Sequence, residues 1–383
     1  MAGIYIHIPY CKHACSYCNF HFSTQTDSSA KMIQAMENEI ALQKHFFPKN
    51  TKLDSIYFGG GTPSFIDLNY IVRLLKTIFD NYEINEHAEI TLEANPDDLT
   101  LEYLQGLKQY TPINRLSIGI QSFNDADLKF MQRVHNAEQA KQCILDAQQI
   151  GFDITCDLIY GTPTLSNADW KKNIDTLIQL NIKHFSCYAL TVEEKTILHH
   201  QIQTEKVEAI DEEKIAEQFT ILQEIIAQNG YEQYEISNFC KDKKYAVHNS
   251  NYWKNKPYLG IGPSAHSYNG QNRFWNISNN NLYIKQLLQH ELAQSCEHLN
   301  NIDHYNEYTL TNLRTIWGVD SQYLEAKFGA ELRKYFEFEI KPFIDNNWVN
   351  LNKTTYTLTN KGKLFCDLIT EQVFWIDEQE TNL

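Results

Sequence analysis

Through its first 230 residues the chain alternates short apolar, β-branched runs with amphipathic stretches. The runs are 3–8, 55–58, 89–93, 115–120, 154–159 and 184–190, each of strand length and bounded by polar, Gly or Pro positions. Between them the spacing changes to that of a helix. Ile71, Leu74, Leu75 and Ile78 recur at i, i+3, i+4, i+7 and predict a helix that starts after Asp67. Ile174, Leu177 and Leu180, and later Ile215, Phe219, Leu222 and Ile226, repeat the pattern. Strands separated by helices predict a parallel sheet with right-handed crossovers. Six such units fall short of the eight that close a full barrel. The expectation is an α/β fold built on an open (β/α)6 partial TIM barrel over residues 1–230.

Beyond the barrel the texture changes. The stretch from Tyr231 to Asn276 is rich in Tyr, Asn and Gly and reads as part of a barrel extension over residues 231–300. Its Gly260-Ile261-Gly262-Pro263 turn is expected to bring His266 back toward the barrel rim. From about Ile302, the positions Leu310, Leu313 and Ile316, then Phe328, Leu332, Phe336 and Ile340, predict short helices. Trp348–Leu351 and Tyr356–Leu358 predict a hairpin. A mostly helical, winged-helix-like domain over residues 301–383 follows.

Composition narrows the class. The chain has 383 residues, 43% of them hydrophobic, ample for two or three packed domains. Net charge is −15, and no basic stripe suits nucleic acid. There is no signal-like N-terminus and no apolar run of membrane-spanning length. The nine cysteines are an odd number and mostly scattered, which argues for a reducing compartment. A cytoplasmic protein, not an integral membrane one, is expected. The 22 Tyr and 20 Phe suit a flat aromatic ligand and equally suit a large core.

In barrels of this kind the chemistry sits at the C-terminal strand ends. The first strand runs into Cys11, Cys15 and Cys18, spaced C-x3-C-x2-C. Thiolates so close in sequence converge on one soft metal centre without long-range folding. Three thiolates on a four-iron cluster leave one iron open. A zinc site completed by His7, His13 or His21 is the alternative. The second strand runs into Gly59-Gly60-Gly61-Thr62-Pro63, which lacks the Lys of a P-loop and suits close backbone approach to a ligand. The third ends at Glu93, placed to accept hydrogen bonds from a ribose. The fourth ends at Gln121, followed by Arg133, which is suited to a carboxylate. The fifth ends in Asp157-Leu158-Ile159-Tyr160-Gly161 and the sixth at Tyr188-Ala189.

The cysteine spacing resembles that of radical S-adenosylmethionine (SAM) proteins. The run from Tyr5 to Cys18, the Gly-Gly-Gly-Thr-Pro segment, residues 116–124, residues 157–161 and Leu259-Gly-Ile-Gly-Pro-Ser-Ala-His-Ser267 together resemble the oxygen-independent coproporphyrinogen III oxidase family. The resemblance covers nearly the whole chain and implies a barrel of radical SAM type. It implies a [4Fe-4S] cluster on Cys11, Cys15 and Cys18, and contacts from Tyr5, Gly60 and Glu93 to the cluster-bound SAM. Tyr17, Gly61, Thr62, Gln121, Arg133, Asp157 and Ala189 match positions around a second SAM in the oxidase branch.

Two departures set the chain apart from that branch. The oxidases have a further cysteine two residues after the third, where this chain has Asn19-Phe20. They also carry an extension before the first strand, which here begins at Gly3. His248-Asn249-Ser250-Asn251-Tyr252-Trp253 matches the H-N-x-x-Y-W motif of the family's heme-chaperone branch. That branch implies heme as ligand and a heme-acceptor protein as partner, membrane respiratory components being candidates. Histidine is a ready axial ligand for heme iron, and aromatics can cover the porphyrin face. His248 is thus a candidate heme ligand, on a motif expected to lie outside the barrel strands, with His266 and His21 as competitors. The competing function is oxidative decarboxylation of coproporphyrinogen III.

Overall fold

The computed structural model describes residues 2–376; Met1 and residues 377–383, at the ends of the expected first and last domains, lie outside that range. Six parallel strands form its centre: β1 (Gly3–Ile8), β2 (Lys52–Gly60), β3 (Glu83–Ala94), β4 (Arg115–Gln121), β5 (Asp153–Tyr160) and β6 (His184–Ala189). They stand side by side in sequence order, each paired in parallel with the next. The expected runs find the strand centres, but β2 and β3 extend several residues further.

Each strand alternates polar and apolar positions, and the two sets face opposite ways. Ile4, Ile6 and Ile8, Ile56 and Phe58, Ile90 and Leu92, Leu116 and Ile118, Cys156 and Leu158, and Phe185 and Cys187 are buried in the main apolar core with the helices. One helix is Leu68–Asn81, whose N-cap is Asp67 as the sequence predicts, and which buries Ile71, Leu74, Leu75 and Ile78. The alternate residues, among them Tyr5, Tyr57, Glu93, Arg115, Asp157 and His184, line a cavity. The lumen is therefore polar, where larger barrels of this type usually fill theirs with Val, Ile and Leu.

The segment after residue 230 continues the same sheet at both edges. On β6 lies the antiparallel β8 (Asn238–Cys240), and on β8 the antiparallel β7 (Glu232–Gln233). On β1 lies the parallel β9 (Tyr258–Ile261), followed by β10 (His266–Tyr268), β11 (Asn272–Asn276) and β12 (Gln294–His298). The resulting sheet of 12 strands has β12 and β7 as unpaired edges, so the barrel stays open.

A second apolar core gathers Tyr305, Leu313, Leu332, Phe336, Ile340 and Ile369. Its helices are longer than the sequence suggests. Ala330–Asp345 alone holds Leu332, Phe336 and Ile340 on one buried face, while Phe328 closes a separate helix, Ser321–Phe328. Ile316 falls beyond the Asn301–Leu313 helix, and its N–H binds the Tyr234 carbonyl at 3.0 Å. The hairpin is present as β14 (Val349–Asn352) and β15 (Thr355–Leu358), with β13 (Val319–Asp320) on its other side. Among the described residues no helix is long and apolar enough to cross a membrane.

Candidate cofactor site at the open end of the barrel

The cysteine loop is pinned at its neck. Cys11 N–H donates to the Ser23 carbonyl (3.0 Å) and Ser23 N–H to the Pro9 carbonyl (2.9 Å), so residues 11–22 project as one closed loop from the end of β1. The glycine segment after β2 is strapped to that neck: Gly61 N–H reaches the Ile8 carbonyl (2.8 Å) and Thr62 N–H the Tyr10 carbonyl (2.7 Å). A Cβ on Gly61 would lie 2.6 Å from the Tyr10 oxygen, and Gly60, at φ +104°, would press one into the His7 ring. Side chains are excluded there by backbone contact.

Cys11, Cys15 and Cys18 are unpaired by disulfide and line one cavity of about 890 Å3. A network of hydrogen bonds ties the loop to the ends of β2, β3 and β4. Thr62 Oγ1 donates to Cys11 Sγ (3.4 Å), and Asn95 Nδ2 to Thr62 Oγ1 (3.3 Å). Arg133 Nη2 donates to Asn95 Oδ1 (2.6 Å) and to the Gly119 carbonyl (2.8 Å), and Nη1 to Cys15 Sγ (3.4 Å). The Arg133 Nε is buried with no partner among the described residues. This guanidinium thus faces neutral oxygens and a thiol, an arrangement that favours anionic sulfur. Burial pushes the Cys11 thiol up to about 11, so the ligand form needs a counter-charge. Asn95 was not singled out from the sequence, although it stands two residues past Glu93 at the same strand end.

Glu93 and Asp157 line both this cavity and a smaller chamber of about 260 Å3 below it. Tyr57 Oη donates to Glu93 at 2.7 Å. Burial, reinforced by Asp157, lifts Glu93 to about 7, and burial lifts Asp157 to about 6. Both retain some solvent-accessible surface, but that surface opens into the cavities they line.

Of the residues expected around the cofactors, Tyr17, Gly60, Gly61, Thr62, Glu93, Gln121, Arg133, Asp157 and Ala189 line the large cavity with the three cysteines. Gln121 does so from a left-handed backbone, φ +65°, where the β4–β5 register shifts. Tyr5 and His248 lie elsewhere. Tyr5 lines the lower chamber and an outer groove.

The expectation for the His248 motif needs correction in part. The motif lies outside the strands on a helix, as expected, but the His248 side chain is buried at the bottom of the lumen and not at an open entry for a flat ligand. The reason is its helix, Val247–Trp253, whose N-terminus is held by Glu89: Val247 and His248 N–H reach that carboxylate at 2.9 and 3.0 Å. Glu89 also pairs with Arg115 at 2.6 Å. The ring then meets Ser55 Oγ through Nδ1 (2.8 Å) and Tyr252 Oη through Nε2 (2.9 Å), and stacks on Tyr57 at 5.0 Å. Both nitrogens are engaged within the protein, and the chamber His248 lines is about 260 Å3.

Among the described residues no three His, Cys, Asp or Glu side chains converge closely enough to hold a single metal ion. A mononuclear zinc site asks for that convergence. A four-iron cluster does not, because each thiolate binds its own iron. Three thiols free of disulfides around one cavity, beside a buried guanidinium that hydrogen-bonds to one of them and to no carboxylate among the described residues, fit a [4Fe-4S] cluster.

An open parallel barrel with this cysteine loop defines a radical SAM protein, and the radical SAM superfamily profile matches residues 5–177. The HemN C-terminal domain profile matches residues 299–365. The heme chaperone HemW of Bacillus subtilis is 32% identical over 95% of this chain and 97% of its own length. That of Lactococcus lactis is 31% identical over 94% and 93%. The chain belongs to the heme chaperone HemW family. The structure is also similar to that of coproporphyrinogen III oxidase (HemN) from Escherichia coli, a radical SAM enzyme, with TM-score 0.82 and 25% identity over 97% of this chain and 90% of that one.

Proposed function

We propose that the protein is a heme carrier that takes up heme and passes it to an acceptor protein, with a [4Fe-4S] cluster on Cys11, Cys15 and Cys18 and SAM in the adjoining cavity. The near full-length likeness to proteins named as heme chaperones carries this reading. A cluster in that position supplies one electron source with an open iron for SAM. Around it, Arg133 offsets the thiolate charge, Gly60 and Gly61 admit a ligand against bare backbone, and ionised Glu93 accepts hydrogen bonds from ribose hydroxyls or offsets the sulfonium charge. The test is anaerobic reconstitution, loading with one equivalent of hemin, and mixing with a b-type apo-hemoprotein. The expected result is uptake with a defined Soret band, then its conversion to that of the acceptor. Absence of hemin binding at micromolar concentration refutes the carrier.

The whole-chain structural likeness to the oxidase favours a second reading, oxidative decarboxylation of coproporphyrinogen III. Incubation with coproporphyrinogen III, SAM and reductant decides between them. Stoichiometric protoporphyrinogen would reverse the ranking.

A further inference from the structure

The turn from Gly260 to His266 takes no part in the large cavity, yet it is firmly built. Buried Glu39 accepts from Gly262 N–H (2.8 Å), Asn276 Nδ2 (2.7 Å) and Tyr283 Oη (2.5 Å). Asn276 also donates to the Gly262 carbonyl at 2.8 Å. A buried carboxyl hub with three donors holds the turn in one geometry. It delivers His266 to the lip of an open groove of about 410 Å3, whose opposite lip is Asn19-Phe20-His21 of the cysteine loop.

Three histidines border this groove, and they differ in freedom. His7 has both ring nitrogens engaged, by Tyr5 Oη (3.2 Å) and the His21 carbonyl (2.8 Å). His21 has Nε2 on Asn280 Oδ1 at 2.7 Å. His266 is exposed, and its ring makes no hydrogen bond among the described residues. Partial burial and the nearby Arg273 charge hold its pKa below the usual histidine value, so the imidazole keeps its lone pair at neutral pH. Its register partner across β10–β11 is Trp275, with ring centroids 6.4 Å apart and planes at 32°. Phe20 is 69% exposed and Trp275 36%. A large aromatic left in solvent on the lip opposite a free imidazole lacks a packing explanation and suits a flat apolar ligand, while Trp275 flanks the imidazole from the neighbouring strand outside the groove.

We propose that His266 is the axial ligand to the iron of a heme docked in this groove, with Phe20 of the opposite lip against the macrocycle. The proposal rests on the heme-carrier reading above. Coordination donates one imidazole lone pair to iron and releases at most a water, with no change of oxidation state. Asn19 and Phe20 border both this groove and the large cavity, so a heme here touches the loop that carries the thiols without entering the cavity.

The experiment is hemin titration of the cluster-loaded full chain, followed at the Soret band and by electron paramagnetic resonance. It compares wild type with His266→Ala, His266→Tyr and His21→Ala. His266→Ala is expected to weaken hemin at least tenfold and shift the Soret maximum, with iron and sulfide content unchanged. His266→Tyr is expected to bind hemin with a high-spin phenolate signature, which a merely structural role would not produce. His21→Ala should retain the wild-type spectrum. Wild-type spectrum and affinity in both His266 variants would overturn the assignment and leave the carrier reading intact. Failure of the wild type itself to bind hemin would overturn both.

Discussion

Replacing His248 with Ala separates a structural role from a ligand role, because the two readings predict opposite outcomes. In the structure the ring connects Ser55 Oγ and Tyr252 Oη and stacks on Tyr57. Truncation strands two hydroxyls in a buried place, at ~1–3 kcal/mol each, and leaves a ring-sized void. Together the loss should be about 3–5 kcal/mol, the range for large-to-small changes in a core. Urea unfolding of the cluster-free protein, read by tryptophan fluorescence, should show a lower midpoint with an unchanged slope. His248→Gln, which can still bond one of the two partners, should recover part of the difference. Hemin affinity and Soret position, measured where the variant is folded, should match wild type. An unaltered midpoint with a shifted Soret band would refute the argument and return His248 to the iron.

Four further outcomes follow from the site and its floor. Glu93→Ala should weaken SAM by ~1.5–3 kcal/mol through loss of a charged hydrogen-bond partner, read by calorimetry on cluster-loaded protein; unchanged affinity would place SAM elsewhere. Because burial lifts Glu93 to about 7 and the ligand needs the ionised form, SAM affinity should fall as pH drops below about 7, by at most about tenfold per unit, and Glu93→Gln should flatten that dependence. Arg133→Met should lower retained iron and speed cluster loss in air, since it removes the cation beside Cys15; full iron content and wild-type stability to air would show that the guanidinium serves another ligand. Burial holds His248 at about 4, below its unfolded value near 6.5, so its contribution to stability is present above pH 6.5 and lost as pH falls toward 4. This amounts to roughly 2 kcal/mol at pH 5. Glu93 and Asp157, raised by burial, run in the opposite direction, so the measurement is the difference in pH slope between wild type and His248→Gln.

Much of this site could be read before any coordinates. The strand centres and the Asp67 cap follow from local periodicity and capping, the gathering of the cysteines with Gly60, Glu93, Gln121 and Asp157 from the rule that a parallel barrel collects its strand ends on one rim, and Arg133 from the family resemblance. Periodicity also held information that counting apolar runs overlooks. In β3 and β4 the polar residues Glu89, Thr91, Glu93, Arg115 and Ser117 alternate with Ile90, Leu92, Leu116 and Ile118, which marks a polar lumen. What the one-dimensional pattern could not supply was the partner of a residue far away in sequence. His248 meets Ser55 across 193 positions, and nothing near either residue in the chain announces that contact. A histidine beside Tyr and Trp looks the same in sequence whether it waits for iron or closes the floor of a barrel.

That ambiguity has a physical root in the lumen. An apolar barrel interior is held by packing, and its bottom reads as core. Here Glu89, Arg115, Thr155, His184, Tyr234 and His248 are joined mainly by hydrogen bonds and an ion pair, in a region where an unpaired group costs more than in water. The residues that stabilise the floor are therefore of the same chemical types as those that line the cavity at the rim. What separates them is satisfaction. On the floor His248 has both nitrogens bonded and Arg115 faces a carboxylate. At the rim, among the described residues, the Arg133 Nε has no partner and three thiols form no disulfide, and on the groove beside it the His266 ring is unbonded. The incompletely satisfied groups lie on the open end and its flank, and these are the places where a cluster, a nucleoside sulfonium and a metalloporphyrin can each supply what the protein withholds.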